Sequence, residues 1–315
     1  MEKTMWDQKR YHSLDYELKQ IYGKKIYKLS LDGGMTCPNR DGTLDSRGCI
    51  FCSEGGSGDF AAKPAVSISA QIEQAKKQVA AKLTHPETAG YIAYFQAYTN
   101  TYAPIPKLRS LFTEAASHPD IVLLSIATRP DCISQEVLSL LKEISCMKPV
   151  WIELGLQTIH DKTAAFIRRG YSLAIFKECV ERLKDADIPV VVHTILGLPG
   201  ETAEDITNTM LYLSHLPLQG IKLQLLHILK GTDLGVLYEQ GIIPEPMSLE
   251  EYVGLVVSCL ELLPKELVIH RITGDGPRRL LLTPLWSTDK KHVLNRLQKM
   301  MKERDTWQGK YYVPQ

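Results

Sequence analysis

The stretch Cys37-Pro-Asn-Arg-Asp-Gly-Thr-Leu-Asp-Ser-Arg-Gly-Cys49-Ile-Phe-Cys52 determines how the rest of this 315-residue chain is interpreted. Eleven residues separate the first two cysteines, and two separate the second from the third. Gly, Pro, Asn and Asp are frequent in the stretch, and it has neither a helical nor a strand period, so it predicts a loop. Three thiolates on one loop indicate metal ligands rather than core side chains.

The number of cysteines bears on which metal group they hold. A structural zinc ion needs a fourth Cys or His, and the first histidine after Cys52 is His85, beyond a predicted helix. A [4Fe-4S] cluster held by Cys37, Cys49 and Cys52 leaves one iron open to a small-molecule ligand. A zinc site with a distant fourth ligand is the alternative, and a redox or disulfide role is disfavoured because cytosolic thiols stay reduced.

Together with four further motifs, the cysteine loop resembles that of the radical S-adenosylmethionine (SAM) enzymes. Phe51 precedes the last cysteine, as an aromatic residue does in that family, although the first gap is longer than the family's commonest one. The resemblance implies that the open iron binds SAM and that an electron from the cluster cleaves it to a 5'-deoxyadenosyl radical. The further motifs resemble the branch with oxygen-independent coproporphyrinogen oxidases and the Elongator catalytic subunit. They are Thr128-Arg-Pro-Asp131, Glu153-Leu-Gly-Leu-Gln157-Thr, Arg168-Arg169-Gly170 and Leu196-Gly-Leu-Pro-Gly-Glu-Thr202.

Short apolar strands alternate with amphipathic helices over most of the chain, which is typical of parallel strands joined by right-handed crossovers. The family resemblance implies an α/β fold, an open six-stranded parallel (β/α)6 partial barrel with a C-terminal α/β extension. We expect a lead-in helix in residues 1–25, the barrel in 26–230 and an extension over the barrel mouth in 231–315. The predicted strands are Ile26–Leu31, Tyr91–Gln96, Ile121–Ile126, Val150–Leu154, Pro189–Leu196 and Ile221–Leu226.

Polar residues follow the predicted strands, and ligands of parallel barrels bind at the carboxyl ends of strands. By resemblance, Cys37, Cys49 and Cys52 ligate the cluster and Phe51 lies against the adenine of SAM. The pattern therefore predicts one cofactor site at this rim.

Other rim residues are assigned to SAM by the same resemblance. Gln157 matches a residue that hydrogen-bonds the ribose, and Glu153 lies just before it. Arg169 matches an arginine that pairs with the SAM carboxylate, for which a planar guanidinium is suited. The remaining expected contacts are Gln96, Tyr98, Asn100 and Leu196.

A further group of polar residues is predicted to face the substrate. For Arg129 and Asp131, a salt bridge to each other is the alternative, and a lone histidine on a strand is more often structural. The predicted substrate-side residues are Arg129, Asp131, His227, His270, Arg271 and Asp275.

The composition, 44% hydrophobic and 23% charged, is ordinary for a globular protein. No apolar run has the length of a membrane span and the charged N-terminus is unlike a signal peptide, so we expect a cytoplasmic protein without membrane contact. Residues 278–310 hold nine Lys or Arg against three Asp or Glu. This segment favours a polyanionic partner such as RNA, although a solvated helix face would have the same composition.

Over its whole length the chain resembles a bacterial Elongator-like family without the acetyltransferase domain, implicated in processing tRNA wobble uridines. The resemblance implies a tRNA substrate, conversion of carboxymethylaminomethyluridine to aminomethyluridine, and an electron donor such as flavodoxin or ferredoxin. Two alternatives remain open. One is a radical SAM enzyme acting on a small metabolite or porphyrin-like molecule, and the other is a non-catalytic, metal-dependent RNA-binding protein.

Overall fold

The computed structural model describes residues 4–56, 58, 67–80, 89–274 and 276–314. Strands and helices alternate over most of this part of the chain. In chain order they are α1 (Leu14–Tyr22), β1 (Ile26–Leu31), α2 (Ile68–Ala80), β2 (Gly90–Phe95), α3 (Ile105–Ser117), β3 (Ile121–Thr128), α4 (Gln135–Ser145), β4 (Val150–Gln157), α5 (Asp161–Phe166), α6 (Leu173–Asp185), β5 (Val190–Leu196), α7 (Ala203–Ser214), β6 (Gly220–Leu225), β7 (Ile228–Leu229), α8 (Asp233–Glu239), α9 (Leu249–Leu262), β8 (Val268–Arg271), β9 (Leu281–Thr283) and α10 (Lys290–Glu303).

The main sheet contains seven parallel strands in the order β1-β2-β3-β4-β5-β6-β8. Helices accompany the sheet, which stays open between β1 and β8. The predicted α/β class and open partial barrel are therefore confirmed, with one strand more than predicted. The seventh strand, β8, comes from the C-terminal extension and pairs with β6 because its apolar half, Val268 and Ile269, is buried.

Local sequence explains why the elements begin where they do. All six residues of β2 are buried, as expected for a central strand of a parallel sheet. Thr202 and Ser248 begin α7 and α9 as capping boxes, each bonded reciprocally with the acidic residue three positions on. Among the described residues, no helix has both the length and the apolarity needed to span a membrane.

A fully buried carboxylate lies inside the barrel. Glu153 on β4 accepts hydrogen bonds from Ser125 Oγ and Lys28 Nζ, both at 2.6 Å, and from His193 Nε2 at 2.7 Å. Lys222 Nζ also bonds to the carboxylate. Because these side chains come from β1, β3, β5 and β6, one acidic group links five of the parallel strands.

Tyr94 on β2 adds the sixth strand to this barrel-interior cluster. Lys222 Nζ lies 3.1 Å from Tyr94 Oη, and the amines of Lys28 and Lys222 lie 4.8 and 4.7 Å from the centre of its ring. Burial disfavours the charge of Glu153, but the two lysines outweigh burial and hold the pKa of the carboxyl well below its usual range. Burial, followed by the charge of Lys222, lowers the pKa of His193 to about 4, so this imidazole is neutral at pH 7.

The two ends of the described chain meet at the open edge of the sheet. Ser13 forms a parallel bridge with Ile269 of β8, and the Ile269 N–H donates to the His12 carbonyl at 2.7 Å. The buried amide of Gln308 accepts from the His12 N–H at 2.8 Å and donates to the carbonyls of Pro264 and Leu267 at 2.6 and 2.8 Å. The segment after α10 therefore fixes the segment before α1 over the edge strand.

Replacing Glu153 with alanine tests the barrel-interior cluster. The variant leaves two lysines without their carboxylate, so we expect it to lose about 3–5 kcal/mol in free energy of unfolding. Urea denaturation at pH 7 measures the loss. The matched control, Glu178→Ala on the exposed face of α6, should change the value by less than roughly 0.5 kcal/mol. Equal stability of Glu153→Ala and the wild type would contradict the role given to this carboxylate.

Candidate active site

The long gap between the first two cysteines folds back on itself. The Gly48 N–H donates to the Asn39 carbonyl at 2.7 Å, and the Arg40 N–H donates to the Cys37 carbonyl at the same distance. Gly48 has φ +77°, a conformation open mainly to glycine. The hydrogen bond between Gly48 and Asn39 closes the segment between the first two cysteines at its base, so Cys49 lies beside the start of the loop. This accounts for the unusual spacing.

Asn39 joins the cysteine loop to the Arg-Arg-Gly motif. Its buried Nδ2 donates to the carbonyls of Arg168 at 2.7 Å and Arg169 at 3.3 Å, and lies 3.6 Å from Cys49 Sγ. Gly170 has φ +82°, and a Cβ there would lie 2.7 Å from Asn39 Oδ1. The positive φ and the close approach of Asn39 both require a glycine at position 170. The hydrogen bonds of Asn39 keep the two segments in contact.

Hydrogen bonds and positive charge surround the last two cysteines. Arg40 Nη2 donates to the carbonyls of Cys52 at 3.0 Å and Ser53 at 2.6 Å. The pKa of Cys49 is lowered to about 7, first by a hydrogen bond from the Cys52 thiol and then, against the effect of burial, by Asn39. The same hydrogen bond, followed by burial, raises the pKa of Cys52 well above its ordinary value. The surroundings therefore favour the thiolate form that metal ligation needs at Cys49 and not at Cys52.

The cysteine loop closes one side of a cavity at the carboxyl edge of the sheet, which we call the cysteine cavity. Most predicted cofactor residues line it together with one predicted substrate-side residue. They are Cys37, Cys49, Phe51, Cys52, Gln96, Tyr98, Arg129, Glu153, Gln157 and Arg169. Residues predicted from separate motifs thus lie around one cavity.

Two side chains of the cysteine cavity have polar atoms without a partner. Gln157 follows a register shift in β4, has φ +67°, and has a buried Oε1 with no hydrogen bond. Arg169, 2% exposed, donates to the carbonyls of Leu156, Thr158 and Tyr171, yet its Nη2 is buried without a partner. One unmet acceptor and one unmet donor at the same cavity favour a polar, anionic ligand there.

A second cavity, the side chamber, continues from the first. The two share Phe51, Cys52 and Gln96 as walls. The predicted substrate-side residues His227 and Arg271 line the side chamber. The rim thus offers two neighbouring cavities with Phe51 as a common wall.

The structure places several predicted site residues away from both cavities. Asn100 is fully buried and donates to the carbonyl ends of β2 and β3, at 3.1 Å and 2.9 Å. Leu196 lies in the apolar core, 1% exposed. His270 packs edge-on against Trp151 and lies 3.0 Å from Gln219 Oε1. None of the three lines the cysteine cavity or the side chamber.

The remaining predicted residues have other surroundings. Arg129 and Asp131 form the bidentate salt bridge, at 2.9 and 2.7 Å, that was the alternative to a substrate role. Arg129 Nη1 also donates to the Arg169 carbonyl at 3.0 Å. Both oxygens of Glu153 are engaged in the barrel-interior cluster. Asp275 lies outside the described residues.

Sequence reasoning missed several residues of the cysteine cavity and its support. Tyr171 lies under the guanidinium groups of Arg129 and Arg169, at 4.8 and 4.9 Å. The sequence itself indicates two of the missed residues, because Tyr94 and His193 are polar residues inside otherwise apolar strands. Buried strands hold polar residues only when these have partners, so such positions predict an interior cluster.

Comparison with known families agrees with this site. The model of the radical SAM superfamily matches residues 46–213, and that of the Radical_SAM C-terminal domain matches residues 218–303. The chain therefore belongs to the radical SAM superfamily, as its cysteine loop and motifs predicted. Membership implies a [4Fe-4S] cluster and SAM, and three thiols with the unmet groups of Arg169 and Gln157 fit both.

Three known proteins show how far the similarity to this chain extends. The chain is 43% identical to the uncharacterized protein YtqA of Bacillus subtilis over 305 residues, which is 97% of this chain and 94% of that protein. It is 27% identical over 173 residues to the tRNA uridine(34) acetyltransferase of Methanocaldococcus jannaschii, covering 54% of this chain and 31% of that protein. The solved structure of Methanocaldococcus infernus Elp3 shares the fold, with TM-score 0.66 and 17% identity over 90% of this chain and 64% of that one.

Replacing Asn39 with alanine tests how the cysteine loop is held. The loss of its bonds to the Arg-Arg-Gly motif frees the loop, so we expect less than half the wild-type iron and sulfide after anaerobic reconstitution. Far-UV circular dichroism should stay unchanged. The matched control is Thr43→Ala at the outer tip of the same loop, where the hydroxyl contacts Tyr102, and it should load fully. Full loading of Asn39→Ala would show that the cysteines are positioned without this side chain.

Proposed function

We propose that this protein is a SAM-dependent radical enzyme that acts on a tRNA wobble uridine and converts carboxymethylaminomethyluridine to aminomethyluridine. The observation that carries the enzymatic part is the cysteine cavity, whose lining combines three thiols with Arg169 and Gln157, both of which hold a polar atom without a partner. A structural metal site would not need those groups. When bound, the cluster and SAM would supply the radical that removes a hydrogen atom from the methylene carbon of the carboxymethyl group. Return of one electron to the cluster and addition of water would then break the C–N bond, so that the amine stays on the uridine and the two carbons leave as glyoxylate.

The residues of this chain have distinct tasks in that proposal. Cys37, Cys49 and Cys52 hold the cluster, and the Nη2 of Arg169 pairs with the carboxylate of SAM. Gln157 Oε1 accepts a hydrogen bond from a ribose hydroxyl, which explains why the bulge in β4 turns this side chain toward the cavity. Phe51 lies between the two cavities and packs against the adenine.

The barrel-interior cluster forms the floor of the cysteine cavity. Tyr94, Glu153 and His193 line the cavity from below and are bonded to one another through Lys222 or directly. Because His193 is neutral at pH 7, its Nε2 holds a proton toward Glu153. The floor holds one carboxylate against two lysine amines, and burial lowers the pKa of Lys222 well below its usual range. Because its side chains are buried and bonded to one another, the floor would keep bulk water away from the reacting atoms.

Two observations support a tRNA substrate. More than half of this chain is similar to part of a protein named for its action on tRNA uridine 34. Lys310 lies between Trp307 and Tyr311, 5.3 and 5.4 Å from the ring centres, and Tyr311 is 55% exposed. Such an aromatic-basic patch suits stacking with nucleotides. The support from α10 is weaker than the sequence predicted, because Arg296 pairs with Glu250 at 2.6 Å.

We also propose that the electron comes from a small carrier protein such as flavodoxin or ferredoxin. A cluster held by the three cysteines would lie against the loop of residues 37–52, whose residues 41–44 are exposed. An electron from a carrier protein docked on this loop would therefore travel a short distance to the cluster.

Replacing Arg169 with lysine tests the carboxylate contact. Lysine keeps the charge but lacks the planar pair of donors, so we expect the Kd for SAM to rise roughly 10- to 100-fold. Anaerobic titration of the cluster-loaded protein measures the Kd, and iron content shows whether the cluster is retained. Arg182→Lys on α6, where the arginine bonds to the Ile133 carbonyl, is the matched control. An unchanged Kd in the loaded Arg169→Lys variant would exclude the pairing.

The reaction itself is tested with reduced, reconstituted protein, SAM and tRNA carrying carboxymethylaminomethyluridine. We expect 5'-deoxyadenosine to form together with aminomethyluridine, detected by mass spectrometry of the nucleosides. A Cys49→Ala variant should form neither product. If deoxyadenosine forms at the same rate with and without tRNA and the nucleoside stays unchanged, the substrate is another molecule, such as a small metabolite.

A further inference from the structure

The side chamber contains an arginine at the position where a parallel barrel binds its ligands. Arg271 is the last residue of β8 and stands beside Lys222 of β6 in the parallel ladder. Its half-buried side chain lines the chamber, which has a volume of about 270 Å³. This volume is just below the roughly 300 Å³ at which small-molecule sites begin. It suits a substituent on a base rather than a whole nucleotide.

Among the described residues, the guanidinium of Arg271 makes no hydrogen bond or ion pair, whereas Arg129 in the neighbouring cavity is paired with Asp131. The described walls of the chamber include no Asp, Glu or Lys. Their other polar groups are the imidazole of His227, the thiol of Cys52 and neutral amides and hydroxyls. An arginine held partly out of water without a counter-charge favours an anionic ligand.

The polar groups that line the side chamber indicate which kind of anion it would bind. One planar guanidinium with neutral hydrogen-bonding neighbours matches a single carboxylate, which accepts two parallel N–H bonds. The carboxylate of SAM has its own partner in Arg169, on the other side of Phe51. The side chamber therefore receives a second carboxylate, which belongs to the substrate.

We propose that Arg271 binds the carboxylate of the substrate and so selects a carboxymethylamino group over an aminomethyl group. This inference rests on the proposed function and names the residue that distinguishes substrate from product. The product has lost the carboxylate, so it has no partner for Arg271 and leaves the chamber. Arg271 is thus a specificity-determining residue.

The experiment compares two anticodon stem-loop RNAs that differ only in the wobble uridine, one carrying carboxymethylaminomethyl and the other aminomethyl. Both are titrated anaerobically against cluster-loaded protein with SAM present and no reductant. We expect the wild type to bind the first RNA at least about 10-fold more tightly, in line with a charge-assisted bidentate contact. Arg271→Gln should reduce this ratio to near one, and Arg271→Lys should restore part of it. The control Arg109→Gln, at an exposed ion pair of α3, should keep the wild-type ratio.

Each other outcome overturns the inference in a distinguishable way. If the Arg271→Gln variant keeps the wild-type ratio of affinities for the two RNAs, another group recognises the carboxylate. Equal weakening of both RNAs means that Arg271 contacts a phosphate, and a weaker Kd for SAM alone means that it serves the cofactor. If the reduced wild-type enzyme leaves the carboxymethylaminomethyl RNA unconverted and shows no preference, the proposed function fails as well. Conversion by the wild type with a preserved ratio in the variant rejects the inference alone.

Discussion

The buried carboxylate of Glu153 is the constraint on which the barrel depends. Side chains from β1, β3, β5 and β6 bond to it directly, and Tyr94 joins through Lys222. A purely apolar interior would tolerate small slips between strands, whereas these bonds require one register for all six strands. Because the register is fixed, the carboxyl ends of the strands lie at fixed positions relative to one another. The rim that carries the cysteine cavity therefore has a defined shape. The same cluster forms the floor of the cysteine cavity, so fold and site share one set of interactions.

The cysteine loop is held by side chains that donate to backbone carbonyls. Asn39 and Arg129 both bond to carbonyls of the Arg-Arg-Gly motif, and Arg169 bonds in turn to carbonyls at the end of β4. The loop is thus attached to the sheet through a chain of charged and amide donors with fixed geometry. This arrangement positions three thiols without burying them in the core, and it leaves their sulfur atoms open toward the cavity.

Sequence alone predicted the α/β class, the six barrel strands and the loop that presents the thiols, because alternating apolar runs and cysteine spacing are local signals. Its motifs also assigned Gln157 and Arg169 to the same rim as the cysteines, and both line the cysteine cavity. It could not show that Asn100 and His270 point away from the cavities, since both follow from packing between strands distant in sequence. The barrel-interior cluster was missed for the same reason, although Lys28 and Lys222 stand out as charged residues in apolar strands. The seventh strand was not among the predicted barrel strands, because its pairing with β6 is set by tertiary contacts.

The amide of Gln308 has a consequence for how the protein is made. It fixes the segment around His12 over the edge of β8, so the last part of the described chain completes a surface begun by the first. The edge of β8 therefore stays uncovered until Gln308 has been made, and an uncovered strand edge is open to pairing with other chains during that interval.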